Sequence, residues 1–280
     1  MAMDKATDAV IIGNPNSGRA GDEDYLERFA KILRSGGLTV EVLNTEHPNH
    51  ATELAALAGD RLIVAAGGDG MVNEVLNGLS RQATLGVLPL DPAEACQRIL
   101  KGERSRVDFG VATNGAGAER RFACMAGIGF DARVIGAVTP RLKRYLRRLA
   151  FQLTAFKVLF GNRFPTLEVS SGDEVHTAKF AIVANGHYYG GGYRVSGPGL
   201  LTSGAFETIL VERLSDLLRP DVFAGIMARR PLNRAMTSFT STVVHARAPG
   251  AEVPVQLDGE LWGGLPMSFR IEPGALNVVR

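Results

Sequence analysis

At 280 residues, 45% of them hydrophobic, the chain suits one large or two moderate domains, with a core that needs no disulfide or metal staple. A formal net charge of +2 is too small to argue for a nucleic-acid partner, and none is expected. Cys96 and Cys124 match no metal spacing and read as two buried free thiols, Met1 to Lys5 open no apolar leader, and no run is long enough to span a bilayer, so a cytoplasmic protein is expected, able to touch the inner membrane face peripherally.

Ala9 to Ile12 is a short apolar strand. It runs into Gly13-Asn14-Pro15-Asn16-Ser17-Gly18-Arg19 and a helix over about 22–35. Small polar residues, glycine and one cation make a plausible diphosphate cradle, and equally a polar turn with Arg19 in solvent. Leu38 to Leu43 alternates as a strand, and Asn49 can cap a helix through Ala58. Leu62 to Ala66 is a buried strand running into Gly67-Gly68-Asp69-Gly70, and Val72, Val75, Leu76 and Leu79 recur at helical spacing behind it. The glycines are expected to take positive φ and let a ligand approach the backbone, and the helix N-terminus suits phosphate. Asp69 would repel bare phosphate, so it calls for magnesium or a proton-transfer role; otherwise it caps the helix. Leu85 to Leu88 is the next strand, followed almost at once by a helix start in which Asp91 is the cap, Pro92 the first position and Glu94 the third. Strands alternating with helices imply a parallel sheet whose loops open at one carboxyl edge.

After Val107 the pattern turns to β. Arg121 to Ala126 reads as one strand, Thr166 to Val169 and Thr177 to Ala184 as a hairpin around Gly172-Asp173, and Phe206 to Val211, Thr240 to Ala246, Val253 to Leu257 and Met267 to Ile271 as further strands. A boundary near 107–113 gives domains 1–108 and 109–280. Between Pro140 and Gly161 a helix carries Arg141, Lys143, Arg144, Arg147 and Arg148 on one face, with Leu142, Leu146, Leu149, Leu153 and Phe156 on another. Such a helix rests on anionic headgroups, or packs with a solvated cationic face. Late in the chain Asp258-Gly259-Glu260 brackets a glycine with two carboxylates. They suit a proton acceptor with a metal or hydrogen-bond partner, or an ordinary Asp-Gly hairpin.

In order, Asn14-Pro15-Asn16-Ser17-Gly18, Gly67-Gly68-Asp69-Gly70 with Asn73-Glu74, Ala184-Asn185, Gly190-Gly191-Gly192-Tyr193 and Asp258-Gly259-Glu260 resemble the diacylglycerol kinase catalytic domain family and its soluble bacterial lipid kinases, sphingosine-kinase-like members included. The Gly-Gly-Asp-Gly signature alone is shared with NAD kinases, which the late carboxylate turn and the β-rich half disfavour. The resemblance implies an α/β N-terminal domain, with a parallel NAD-kinase-like sheet, then a β-rich lipid-binding domain, with a cleft between them. It implies ATP with Mg2+ held near Asn14, Asn16, Ser17, Arg19, Gly67, Gly68, Gly70, Asn73 and Glu74, with Asp69 organising magnesium and phosphates. It makes Asp258 the base for a lipid hydroxyl, with Glu260 beside it, although in some relatives the glycine-loop aspartate is described as the base. The implied substrate is diacylglycerol or a related lipid; which lipid, and whether the chain forms a homodimer, stay open.

Three departures accompany the resemblance. The family's Gly-Thr-x-Asn-Asp-like loop and helix are missing where Leu88-Pro89-Leu90 meets Asp91, which removes one wall of the ATP site. Thr202-Ser203 stands where relatives often hold a structural magnesium with an acidic pair, so that site is expected to be lost. Met71 replaces a threonine beside the phosphates. A catalytically impaired lipid- or nucleotide-binding relative is therefore the second reading, and a NAD kinase the third.

Overall fold

The computed structural model describes residues 9–14, 23–88, 92–138, 148–161, 164–189, 193–197, 200–228, 230–232 and 235–279. The chain forms two compact units, one of Met1–Val107 with Gly274–Arg280 and one of Asp108–Pro273. A single cut near residue 107 thus misses the return of the last residues, which extend the first unit's sheet.

The first unit alternates β1 (Ala9–Gly13), α1 (Glu23–Ser35), β2 (Val40–Asn44), α2 (His50–Ala58), β3 (Leu62–Ala66), α3 (Asp69–Gly78), β4 (Thr84–Leu88) and α4 (Pro92–Lys101). β1 and β3 are buried at every residue, as continuous apolar runs are when helices cover both sheet faces. The strands are parallel in the order β2-β1-β3-β4, and the chain's last strand adds Asn277 and Val278 beside Thr84 and Leu85 of β4. α1 buries Leu26, Phe29, Ala30 and Leu33, a helical stripe that packs on the sheet. α2 and α3 lie so close that a side chain at Gly78 would overlap the Thr52 carbonyl and come within 2.9 Å of Ala55 Cβ. The register aligns Gly13 with both Asn44 and Ala66, and Ala66 with Leu88. Four strands therefore end level, and Asn14, Thr45 and Gly67 leave from one edge.

The second unit is built on two antiparallel sheets. β5 (Arg104–Asn114) runs into it from the first unit, pairs with β6 (Glu119–Phe122), and is followed by β7 (Met125–Ile128), α5 (Phe130–Ala137), α6 (Arg148–Gly161), β8 (Leu167–Ser171), β9 (Glu174–Ala178) and β10 (Phe180–Ala184). Then come β11 (Tyr188–Tyr189), β12 (Tyr193–Arg194), β13 (Phe206–Val211), α7 (Pro220–Met227), β14 (Thr237–Ser241), β15 (Val243–Arg247), β16 (Pro254–Leu257), β17 (Glu260–Gly264) and β18 (Met267–Val279). One sheet has the order β14-β13-β10-β7-β16-β17; the other joins β18, β15, β8 and β9. Their shared core stacks Phe122 on Phe206 at 5.7 Å and sets Phe122 edge-on to Phe269 at 6.2 Å.

Three runs expected as single strands are each two. Arg121–Ala126 breaks between β6 and β7, Thr177–Ala184 between β9 and β10, and Thr240–Ala246 between β14 and β15. At each break the chain leaves one sheet for the other. On α6, Leu153, Phe156 and Phe160 are exposed while Thr154 and Val158 are buried, so Leu153 and Phe156 do not form the packed face. Arg141, Lys143, Arg144 and Arg147 lie outside the described residues, as does the side chain of Arg148. Cys96 is buried, and burial pushes its thiol up to about 11, but Cys124 is exposed, against the expectation of two buried thiols. Among the described residues no helix is long and apolar enough to cross a membrane.

Candidate active site

Strand β3 delivers the glycine turn and α3 continues it. Gly68 is the N-cap at φ −85, ψ −169, with no side-chain cap bond, and Asp69 is the first helical residue. Asp69 is therefore not the cap. None of Gly67, Gly68 and Gly70 has a positive φ, so the expected backbone conformation of the glycines is corrected. Gly67 is needed because a Cβ there would press on Met71 Cβ at 2.8 Å, whereas a Cβ on Gly68 meets nothing within 4 Å. The space at Gly68 lets a ligand reach the uncapped N–H groups of the first turn. Asp69 is exposed and makes no hydrogen bond or ion pair among the described residues.

A cavity of about 480 Å³ lies at this edge. Asn14, Thr45 and His47 line it opposite Gly68, Gly70 and Met71, and Glu74 completes it. Thr45 N–H donates to Gly13 O at 2.8 Å, which fixes the β2 loop against β1. Glu74 also braces α2: its carboxylate accepts Ala51 N–H at 3.3 Å, and its carbonyl accepts the Thr52 hydroxyl at 2.8 Å. Asn73 is buried and accepts from Asn77 Nδ2 through its carbonyl at 2.9 Å; it does not line the cavity. Asn16, Ser17 and Arg19 lie outside the described residues, as do Pro89, Leu90 and Asp91. β4 ends level with β3, and α4 begins at Pro92, so only residues 89–91 connect them at this edge.

The carboxylate turn belongs to the second unit. Leu257 pairs with Glu260, and Asp258 and Gly259 both have positive φ, 48 and 91, as a tight Asp-Gly hairpin requires. The Asp258 carboxylate turns back onto the link between β6 and β7. It accepts Ala123 N–H at 2.6 Å on Oδ2, and Cys124 and Met125 N–H at 2.8 and 2.9 Å on Oδ1. Charge-assisted bonds of this kind are the strong ones. Glu260 pairs with Arg120.

Four residues that sequence reasoning left without a role hold this turn from behind. Gln256 Oε1 accepts Gly259 N–H at 2.6 Å, and its Nε2 donates to Asp131 Oδ2 at 2.6 Å. Asp131 is 2% exposed at the start of α5, and burial pushes its carboxyl up to about 7, the Gln256 bond opposing the shift. Gly127 makes room: a Cβ there would overlap Asp131 Oδ2 and stand 2.6 Å from Gln256 Nε2. Asn185, noted only as a motif, is fully buried and donates to Asp108 O at 2.9 Å and Ala123 O at 2.7 Å. Asp108 in turn accepts Gly204 N–H at 2.7 Å, and Ser203 Oγ lies 2.8 Å from Leu200 O, so backbone bonds organise the Thr202-Ser203 segment. The available signals were weak: Asp131 looks like a first-turn helix acid, and Gln256 sits in a plain strand. A cavity of about 360 Å³ in this unit, lined by residues such as Asn114, His245 and Pro266, includes none of these groups.

Residues 8–112 match the diacylglycerol kinase catalytic domain, and residues 124–280 match the YegS C-terminal NAD kinase beta sandwich-like domain. The chain belongs to the diacylglycerol kinase catalytic domain family. It is 26% identical to a "Diacylglycerol kinase" of Bacillus subtilis (strain 168), over 93% of this chain and 92% of that one. It is 29% identical to a "Probable lipid kinase YegS-like" of Pseudomonas aeruginosa (strain UCBPP-PA14), over 93% and 90%. The crystal structure of a diacylglycerol kinase from Bacillus anthracis str. Sterne superimposes with a TM-score of 0.77, at 20% identity, over 99% of this chain and 98% of that one. That last likeness concerns the fold: an α/β unit with parallel strands, followed by a β-rich one.

Proposed function

We propose that the chain is a kinase that transfers the γ-phosphoryl group of ATP to a hydroxyl of diacylglycerol or a related lipid, with magnesium as companion ion. The observation that carries this reading is the glycine turn: an unhindered helix N-terminus and a cavity of about 480 Å³ lined by Gly68 and Gly70 occur together at one sheet edge, and Asp69, between those two glycines in sequence, makes no bond among the described residues. The Gly68 and Gly70 backbone and Asn14 receive the phosphates in this reading. One carboxylate, with phosphate oxygens and water, is the donor set that magnesium favours, so Asp69 would hold it. Magnesium, when bound, neutralises the charge that builds up on the phosphoryl oxygens. The lipid oxygen bonds to the γ-phosphorus, ADP leaves, and the hydroxyl proton passes to a carboxylate.

Asp258 is the base expected from the resemblance. Its carboxylate accepts three peptide N–H groups, which hold it in the turn. In this reading Asp258 anchors the turn, Glu260 is set by Arg120, and Asp69 is the carboxylate of the phosphoryl end. Transfer of labelled γ-phosphate to lipid in mixed micelles tests the proposal. Asp69→Asn should abolish transfer with the fold intact; full turnover in that variant would overturn the role of Asp69.

The short β4–α4 connection favours a second reading, a relative that binds nucleotide or lipid without turnover. Calorimetry with Mg2+ and ATP separates the two. Magnesium-dependent binding supports the kinase, and no binding at millimolar nucleotide supports the impaired relative.

For the partner surface, the reading is peripheral contact with an anionic membrane. Exposed Leu153, Phe156 and Phe160 on α6 would meet the lipid, and Arg141, Lys143, Arg144, Arg147 and Arg148 precede them in sequence. Sedimentation with anionic vesicles should fall with salt and on reversing Arg144, Arg147 and Arg148. Binding indifferent to both contradicts it.

A further inference from the structure

His47, His50 and Glu53 each offer one ligand atom, and the three atoms lie within 4.8 Å of one another. The backbone explains why. Asn49 stands in the left-handed region at φ 65, just before α2, and turns the chain back on itself. The His47 ring then lies over the His50 ring, with centroids 4.5 Å apart and planes 15° from parallel. Glu53 follows one turn along α2, on the side of His50.

The hydrogen bonds identify where lone pairs lie. His47 Nδ1 is 3.1 Å from Pro48 O, which can only accept, so Nδ1 carries the hydrogen and Nε2 keeps its lone pair. A ring nitrogen held by a carbonyl while the other faces outward is how metal-binding histidines are oriented. His50 Nδ1 accepts Glu46 N–H at 3.0 Å, so this nitrogen also has a lone pair. His47 and Glu53 are exposed and can swing inward, and His50 is half-buried.

We propose that His47, His50 and Glu53 form a binding site for a divalent transition-metal ion of the zinc type. Two imidazoles and one carboxylate are the donor set of such ions, and three protein ligands leave a further position for water or an anion. Bonds of about 2.0–2.2 Å set the ligand atoms more tightly than the 4.8 Å bound within which they lie, and the exposed side chains are free to close in on the ion. His50 binds through Nδ1 and gives up the Glu46 N–H, a bond worth about 1 kcal/mol. Magnesium takes oxygen ligands, so this is not the magnesium position at Asp69. The inference does not rest on the kinase reading, although His47 also lines the glycine-turn cavity.

The test is calorimetric titration of Zn2+ into the full chain carrying Cys124→Ser, which removes the exposed thiol as a rival ligand. The expected result is one equivalent bound, undisturbed by excess Mg2+, with a perturbed Glu46 amide resonance. His47→Ala and His50→Gln should each weaken binding at least about tenfold, and Glu53→Gln less. The glutamine at position 50 can still accept the Glu46 N–H, and circular dichroism confirms that each variant is folded. Absence of stoichiometric Zn2+ binding, or unchanged affinity in folded His47→Ala and His50→Gln chains, overturns the site.

Discussion

The two aspartate-glycine turns put their carboxylates to opposite uses. At Gly67–Gly70 the side chain of Asp69 makes no bond among the described residues and the cap is bare backbone. At Asp258–Glu260 the carboxylates bind the protein itself: Asp258 takes three peptide N–H groups, and Glu260 takes Arg120. A turn of the first kind adds little to stability and is open to a ligand. One of the second kind is part of the framework, and damage to it reads out as unfolding before it reads out as lost chemistry.

The largest expected contrast comes from the buried end of the second turn. Below pH about 3.8 Asp131 is protonated whether the chain is folded or not. The unfolded chain then releases this proton first, while the fold holds it up to about 7. The Asp131 contribution to stability is therefore full in acid, falls as pH rises between these values, and is level above them. At about 1.4 kcal/mol per pH unit the ceiling is about 4 kcal/mol. Denaturant midpoints of native chain and Asp131→Asn between pH 4 and 8 should diverge by this component; parallel curves would show that Asp131 does not titrate with folding.

Two glycines sharpen the contrast next. Gly127→Ala drives a methyl into the Asp131–Gln256 contact and should cost about 3 kcal/mol by chemical denaturation. Gly68→Ala meets nothing and should cost less than about 1 kcal/mol, its effect appearing instead as weaker Mg2+-ATP binding. Equal losses of stability would erase the distinction between the turns.

The aspartates themselves come third. Asp258→Ala leaves peptide donors of residues 123–125 without their carboxylate and should cost about 2 kcal/mol, whereas Asp69→Ala should stay within about 0.5 kcal/mol. The smallest expected effect carries no stability change. Maleimide should label Cys124 in the folded chain and Cys96 only after unfolding, since one thiol is exposed and the other buried.

How far the fold could be read from residues follows the same division. The first unit was legible almost throughout, because strands, of which β1 and β3 are buried at every residue, alternate with helices, and parallel strands of this kind have few arrangements. The second unit was legible as β but not strand by strand. The apolar run Phe122-Ala123-Cys124-Met125-Ala126 continues through Ala123 and Cys124, where the chain changes sheet, so hydrophobicity does not mark the break. The open turn was visible as a glycine turn from strand to helix, though its glycines do not take the positive φ expected of them. The reason for glycine there lies in Met71 packing and empty space, which sequence spacing does not carry. Asp131 and Gln256 were invisible as a pair because 125 positions separate them and only the β7–β16 pairing brings them together.

Phosphoryl transfer by the open turn is tested most directly by labelled γ-phosphate transfer from ATP to diacylglycerol in mixed micelles, run with and without Mg2+ on the native chain and Asp69→Asn. The expected result is Mg2+-dependent transfer in the native chain and a loss of at least about a hundredfold in the variant, at unchanged stability. Transfer that persists in Asp69→Asn, or a native chain that binds Mg2+-ATP and transfers nothing to any lipid hydroxyl, would contradict it.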